Sequence, residues 1–445
     1  MKTNKYLCFI FIFSLYGCSF GGTIPSNHFP QYNLTVDEVS KFLIGYCWQM
    51  PNGRASKNNP DNKEVSVVVG EISGQQKIII RDSYNLPPSH FSDFYIYKSG
   101  CVQYGNKIRY IANAVSINPK SKVISFTSGS DVNLTDFEFF QLNLENSTYA
   151  EEPILNPEQH SDYFVEPKRV FWSPDGSKIA TLGMDVGGGG TNIWVYDVNT
   201  ASIVNSTKFT TVGEWVASAA WSKNGEKLAV GLGEMSGVRI IDFSRGITLP
   251  DYVEVSHETT SDIGEWLYIY KNLLQLALQN ENIRFTRYIY TSSSPVWVND
   301  NQIIFTAVNQ DGLSSLYMVD DTGVNLKRLI EKLSGNLLMP TLSPDGNTLA
   351  FVRYFSWKEK NKAEIGLVDL SNLAVSSLVV VESINKEAPL LLSGMAWSPD
   401  GNYLAFSSNH DGESDVYIVS SDGQYWLNTT KDIDGNAVSP FWIPK

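Results

Sequence analysis

"WSPDGNYLAFSSNHDGESDVYIVSSDG", residues 397–423, decides how this chain folds. A Trp is followed by Ser-Pro-Asp-Gly, which is turn chemistry. Proline sets φ for the first central position of a type I turn, and aspartate tolerates the second. Glycine takes the left-handed conformation of the bulge that follows. "YLAFSS" then alternates as a strand, a polar loop interrupts, and "DVYIVSS" alternates again. The unit reads as antiparallel strands joined by hairpins, with the Trp ending the strand before the turn.

The unit recurs. "WSPDGSKIATL" starts at Trp172, "WSKNGEKLAVG" at Trp221, "WVNDNQIIFTA" at Trp297 and "LSPDGNTLAFV" at Leu342. A weaker copy, "INPKSKVISFT", starts at Ile117, and a short one, "WIPK", at Trp442. The anchors stand 45 to 55 residues apart, except for 76 between Trp221 and Trp297. Periods near 45 to 55 are those of propeller blades. Each full copy continues into a second apolar strand, such as "NIWVYDV", "GVRIIDF" or "EIGLVDL". The fold class predicted is all-β: a β-propeller of four-stranded blades, each Trp wedged between neighbours, closed radially without long exposed edges. Seven blades are favoured, and six follow if the Ile117 copy is discounted. The last inner strand, "SPFWIP", lacks outer strands. "EVSVVVGEI", "KIIIRDS" and "DFYIYKSG", between Glu64 and Gly100, are expected to supply them.

These repeats resemble the TolB-type branch of WD-like β-propellers. The blade signature there is W-S-P-D-G-x-x-I-A-F, a loop like S-N-x-D-G, and I-Y-V-x-D. Residues 397–423 match it closely and 297–323 less well, and the resemblance covers roughly 115–445. It implies a non-enzymatic interaction scaffold whose partner is another envelope protein or a peptide. TolB has six blades and a separate N-terminal domain, and this chain is expected to depart from it on both points. The motif specifies fold strongly and function weakly.

Outside the repeats, Lys2 and Lys5 precede the apolar run "YLCFIFIFSLY", too short to span a membrane as a helix. "LYGC", Leu15 to Cys18, resembles the lipobox of bacterial lipoproteins. Residues 1–17 then form a lipoprotein signal peptide, Cys18 the lipid anchor and 18–33 a tether. Ser19 fits outer-membrane sorting in that family, with the protein facing the periplasm and touching membrane through its lipid alone. The alternative is an ordinary signal peptide and a secreted or soluble periplasmic protein. Cys47 and Cys101 form an expected disulfide in such an oxidising compartment, or two buried thiols.

Residues 34–63 are read as an N-terminal helical segment. Thr35 caps it, Glu38 completes a capping box, and Val39, Phe42, Leu43 and Tyr46 share a face. The propeller takes 64–445. A helical insertion at about 258–284 puts Trp266, Tyr270, Leu273 and Leu274 on one apolar face, which either covers the propeller flank or docks a partner.

Chemistry is thinly signalled. With 34 basic and 47 acidic residues the net charge is −13, and no basic block stands out, so nucleic acid is an unfavoured partner. There is no G-x-S-x-G elbow, Walker A or C-x-x-C motif, and His257 lacks the second His of a zinc-protease helix. "GGGG", Gly187 to Gly190, reads as a hairpin loop. "TSDIGEW", from Thr260, falls one residue short of a sialidase Asp box and is rejected. No catalytic residue, metal or cofactor is expected. Propeller topology offers one inference. Loops between second and third strands share a face with the crossings between blades. Asp185, Glu234, Asp311, Trp357, His410 and Asp411 then ring one end of the channel, and the S-P-D-G turns take the other. Aromatic and acidic loops of this kind also suit a glycan, so a glycan-binding or carbohydrate-active propeller is the alternative function.

Overall fold

The structure is a computed structural model. It describes residues 32–33, 42–49, 65–71, 76–81, 93–97, 100–104, 109–111, 116–130, 138–143, 148–149, 169–184, 191–200, 202–208, 216–232, 238–243, 295–308, 313–322, 324–355, 361–384, 390, 392–431 and 435–444. Among these residues every regular element is a strand, and the strands form seven sheets of three to five strands and one two-stranded sheet. Successive sheets are antiparallel meanders in chain order, such as Asn336–Leu342, Thr348–Tyr354, Lys362–Asp369 and Val375–Glu382. This is a β-propeller.

Each Ser-Pro-Asp-Gly copy folds alike. Ser173 Oγ donates to Asp175 Oδ1 at 2.5 Å and accepts from the Lys178 N–H at 2.9 Å. The Gly176 N–H closes the turn onto the Ser173 carbonyl at 2.9 Å. Ser343 with Asp345 and Ser398 with Asp400 repeat this. Asn224 replaces the aspartate in one copy, where its Oδ1 still accepts from Ser222 Oγ at 2.7 Å. The hydrogen bonds that Ser173 and Ser177 give outweigh partial burial and hold the Asp175 carboxyl at about 2.

The tryptophans are wedges, as the repeats predict. Trp221 Nε1 donates to the Phe171 carbonyl (3.0 Å), Trp297 to Ala220 (2.8 Å), Trp397 to Thr341 (3.1 Å) and Trp442 to Ala396 (2.9 Å). In every case the acceptor is the residue just before the anchor of the preceding repeat. The core is correspondingly divided among neighbouring sheets. Leu349, Phe351 and Val368 pack against Ile304 and Leu316 of the sheet before. Leu404, Phe406 and Tyr417 pack against Val352, Ile365 and Val379.

Closure follows the expected seam, with a different set of strands. Asn436–Pro444 pairs with Phe42–Gln49, which continues to Val65–Glu71 and Gln76–Arg81. The two ends of the sequence do share one sheet. The stretch read as part of a helix is its second strand: Phe42, Ile44 and Tyr46 are buried at period two against Ala405, Val416 and Ile418. A short apolar run satisfies both periodicities, and the unpaired edge of Asn436–Pro444 selects the strand. Asp93–Tyr97, expected in this sheet, pairs instead with Gly100–Tyr104. Cys47 and Cys101 lie in the strands Phe42–Gln49 and Gly100–Tyr104; their side chains, like Cys18 and the insertion at 258–284, fall outside the described residues.

Three successive inner strands bulge at one level, where Met339, Gly394 and Ser439 take φ of 56°, 62° and 54°. A Cβ on Gly394 would stand 2.6 Å from Ser439 Cα, a backbone atom that cannot yield. Gly401 has a similar φ of 74°, but its nearest neighbour would be Pro344 Cδ at 3.8 Å. Gly401→Ala is therefore expected to cost about 1–2 kcal/mol for the left-handed backbone alone. Gly394→Ala adds roughly 1–3 kcal/mol of overpacking. Urea unfolding of the two variants checks the ranking; equal losses would refute the close strand approach.

Candidate functional site

Two asparagines position the loops of one end. The Ser314 N–H donates to Asn336 Oδ1 (3.1 Å), and the Ser414 N–H to Asn436 Oδ1 (2.8 Å). Each Asn opens an inner strand, and each Ser follows the second-to-third-strand loop of the preceding sheet. Arg353 adds a third tie: its Nε donates to the Ser334 carbonyl (2.7 Å), its Nη1 to Glu364 (3.0 Å), and its guanidinium lies 4.5 Å above the Phe355 ring. Second-to-third-strand loops and sheet crossings thus meet at one end, and the S-P-D-G turns occupy the other.

Of the six residues expected at this end, the structure describes His410 and Asp411. Asp185, Glu234, Asp311 and Trp357 fall outside the described residues. His410 and Asp411 belong to a larger polar cluster in the sheet of Tyr403–Ser408, Asp415–Ser420 and Tyr425–Asn428. His410 is 8 % exposed, with its Nδ1 3.1 Å from Ser408 Oγ and its ring 4.9 Å from that of Tyr417. Tyr417 donates to Asp411 Oδ2 at 2.9 Å and accepts from Asn428 Nδ2 at 3.1 Å. Asn428 Nδ2 also reaches Asp415 Oδ2 (2.9 Å), and Thr430 Oγ1 donates to Asp415 Oδ1 (2.6 Å). Trp426 and Phe406 stack on opposite sides of this group, each 5.6 Å from Tyr417. The His410 carbonyl accepts from the Ile384 N–H of the crossing at 2.7 Å, and Ile384 itself is 76 % exposed.

The electrostatics follow from burial. Burial pushes the His410 imidazolium below its ordinary range, and the charges of Asp411 and Asp415 only partly oppose it. Burial raises Asp415, aided by the Asp411 charge and opposed by the Thr430 and Asn428 bonds. Tyr417 is driven far up by burial and then by Asp411. The Tyr46 hydroxyl, from the closing sheet, is raised likewise by burial and by the Asp415 charge.

This arrangement holds shape. Ser408 is fully buried beneath His410, so the Ser–His pair has no path to a substrate. Both Asp415 oxygens are engaged, and Asp411 is the acid at the exposed rim. Among the described residues no group of three or more His, Cys, Asp or Glu could hold a metal. Asp415, Tyr417, Asn428 and Thr430 escaped the sequence reading because they lie in strands and their ends, where alternation reports burial and not partnership. The signal available was the polar "NTT" after "YWL" on an outer strand.

A buried neutral His sets a pH dependence. The unfolded His410 protonates near 6.5 while the folded one resists, so folding loses stability as pH falls through 6.5. His410→Asn keeps an amide near Ser408 but does not titrate. The stability gap between wild type and this variant, read from urea midpoints, is expected to narrow as pH falls below 6.5. A constant gap would rule out a neutral buried imidazole.

With this geometry in place, residues 303–445 match the TolB beta propeller domain family. Over that stretch the propeller is similar to TolB. Over 130 residues, 29 % of the chain, it is 32 % identical to the Protein TolB homolog of Chlorobaculum tepidum. Over 36 residues it is 53 % identical to the Tol-Pal system protein TolB of Syntrophus aciditrophicus. These matches span 27 % and 8 % of the two relatives' lengths. Among solved structures, the β-propeller domain of the Trilobed protease from Pyrococcus furiosus aligns with a TM-score of 0.50 and 11 % identity, over 88 % of this chain and 93 % of that one. TolB from Acinetobacter baumannii aligns at 0.41 and 17 %, over 93 % and 86 %. At such identities the structural likeness is one of fold.

Proposed function

We propose that this TolB-like propeller is a non-enzymatic scaffold for another protein or peptide of the bacterial envelope. The observation that carries this is the saturated network around Asp415. It spends its polar groups on fixing loops and sheet crossings at one end, which suits a binding face and not acid–base chemistry. We read the ring as seven-bladed, in keeping with the seven sheets of three to five strands. The rest of the reading comes from the sequence: a signal peptide at 1–17, a lipid on Cys18, the outer membrane's periplasmic face, a Cys47–Cys101 disulfide, and a ligand face of Asp185, Glu234, Asp311, Trp357, His410 and Asp411. Trp266, Tyr270, Leu273 and Leu274 are the candidate partner helix. The competing reading is a glycan-binding or carbohydrate-active propeller.

Affinity capture from envelope extract separates the two, run with the full chain and with residues 258–284 deleted, beside binding and turnover assays on envelope oligosaccharides. The scaffold predicts one enriched protein, weakened when the insertion is removed, and no oligosaccharide turnover. Turnover, or retention of glycan alone, would overturn it. Labelling with a palmitate analogue, lost in Cys18→Ser, tests the anchor.

A further inference from the structure

The seam that closes the ring has a third strand beside it. Asn436–Pro444 and Phe42–Gln49 pair within one sheet. Gly100–Tyr104 lies outside that sheet. It comes within 8 Å, Cα to Cα, of Asn436–Pro444 and also of Arg109–Ile111, which pairs with Val123–Ser130 in the next sheet around the ring. The hairpin of Asp93–Tyr97 and Gly100–Tyr104 therefore stands between the closing sheet and its successor.

Both strands next to Asn436–Pro444 carry a cysteine. Cys47 stands opposite Val438 in the ladder, and Cys101 is the second residue of Gly100–Tyr104. Strand alternation fixes the face that holds position 47. Phe42–Gln49 pairs with Val65–Glu71 in unbroken register from Leu43 to Gln49, so successive residues alternate throughout. Phe42, Ile44 and Tyr46 pack on Ala405, Val416 and Ile418 of the preceding sheet. Leu43, Gly45 and Cys47 belong to the opposite face. A sheet in a propeller has one neighbour on each side. The face of position 47 is thus the one turned to the successor sheet, and Gly100–Tyr104, next to Arg109–Ile111, lies on that side.

We propose that Cys47 and Cys101 form a redox clasp across this seam. Their disulfide ties the closing sheet to the sheet of Val123–Ser130, and its reduction loosens the two closing strands. The clasp rests on the disulfide read from the sequence and adds where that bond acts; failure of the scaffold reading leaves it untouched. The bond forms by exchange with a disulfide oxidant, such as oxidised glutathione. One cysteine thiolate attacks a glutathione sulfur and releases one glutathione thiol. The second cysteine thiolate then displaces the other. The two cysteine sulfurs are oxidised, the glutathione disulfide is reduced, and the two cysteine protons end on the glutathione thiols.

The test treats the full chain with oxidised glutathione, then alkylates and digests it without reductant, beside Cys47→Ser and Cys101→Ser. The expected result is a cross-linked peptide pair holding residues 47 and 101, absent from both variants. Amide hydrogen exchange is then measured before and after dithiothreitol. Reduction should speed exchange in Phe42–Gln49 and Asn436–Pro444 by a factor about tenfold or more above the factor for Thr348–Tyr354 and Lys362–Asp369, because the opening is local to the seam. Each oxidised variant should already exchange like the reduced wild type and should not respond to dithiothreitol. Free thiols at 47 and 101 after oxidation, or pairing of either with Cys8 or Cys18, would overturn the disulfide and the clasp together. A 47–101 bond whose reduction speeds all four strands alike, or none, would overturn the clasp and leave the disulfide standing.

Discussion

Trp442→Ala is expected to cost about 3–5 kcal/mol, the range for deleting a buried aromatic side chain. Trp442 is 5 % exposed, meets Phe42 edge-on at 5.4 Å and Tyr403 at 6.4 Å, and donates to the Ala396 carbonyl. It therefore joins the closing sheet to its neighbour and packs the closing strand from Phe42 on. Trp442→Phe keeps most of the packing and loses the hydrogen bond, so it should cost about 1 kcal/mol. Urea denaturation of both variants gives the comparison. If the two lose the same amount, the hydrogen bond and not the wedge dominates, and the packing account of the ring is wrong.

Gly45→Val is the second large effect, expected near 3 kcal/mol from overpacking. Gly45 sits in the middle of Phe42–Gln49, paired with Phe441 in the adjacent strand. The Phe441 ring lies flat over its Cα, so that any Cβ there would overlap the ring. The ring covers what would otherwise be an unpacked glycine in a strand. Phe441→Ala alone should destabilise, but combined with Gly45→Val it should restore much of the loss. A double-mutant cycle measures the coupling. Strict additivity would mean that the ring does not cover the glycine in solution.

Much of this architecture was legible in the sequence, because a propeller repeats its instructions. Pro174, Asp175 and Gly176 announce a turn in any context, and five intervals of 45 to 55 residues announce a ring. The repeats alone place Trp221, Trp297, Trp397 and Trp442 between sheets. What failed was the stretch that occurs once. "FLIGYCWQ" has no second copy to vote on its period, and its partner lies in "NAVSPFWIP", at the opposite end of the sequence. The candidate site divides in the same way. His410 and Asp411 stood out as loop residues with chemistry. Asp415, Asn428 and Thr430 became visible only when pairing of the two strands brought residues 415 and 428 together. That Trp172 Nε1 lacks, among the described residues, the carbonyl partner of the other four indoles was invisible too, because its own repeat is the regular one.

The pairing of Phe42 with Pro444 also sets a timetable. Meanders such as Asn336–Glu382 can form from neighbouring segments as soon as those segments exist. The closing sheet must wait for a contact across almost the whole sequence, and contacts of that separation form slowly. Until it forms, the edges of Asn436–Pro444 and of the sheet beside it present unpaired N–H and C=O groups, the usual template for unwanted strand addition. The ring is thus most vulnerable late in folding. Whatever holds Phe42–Gln49 near that gap shortens the period of risk, and does so without adding a single contact to the finished ring.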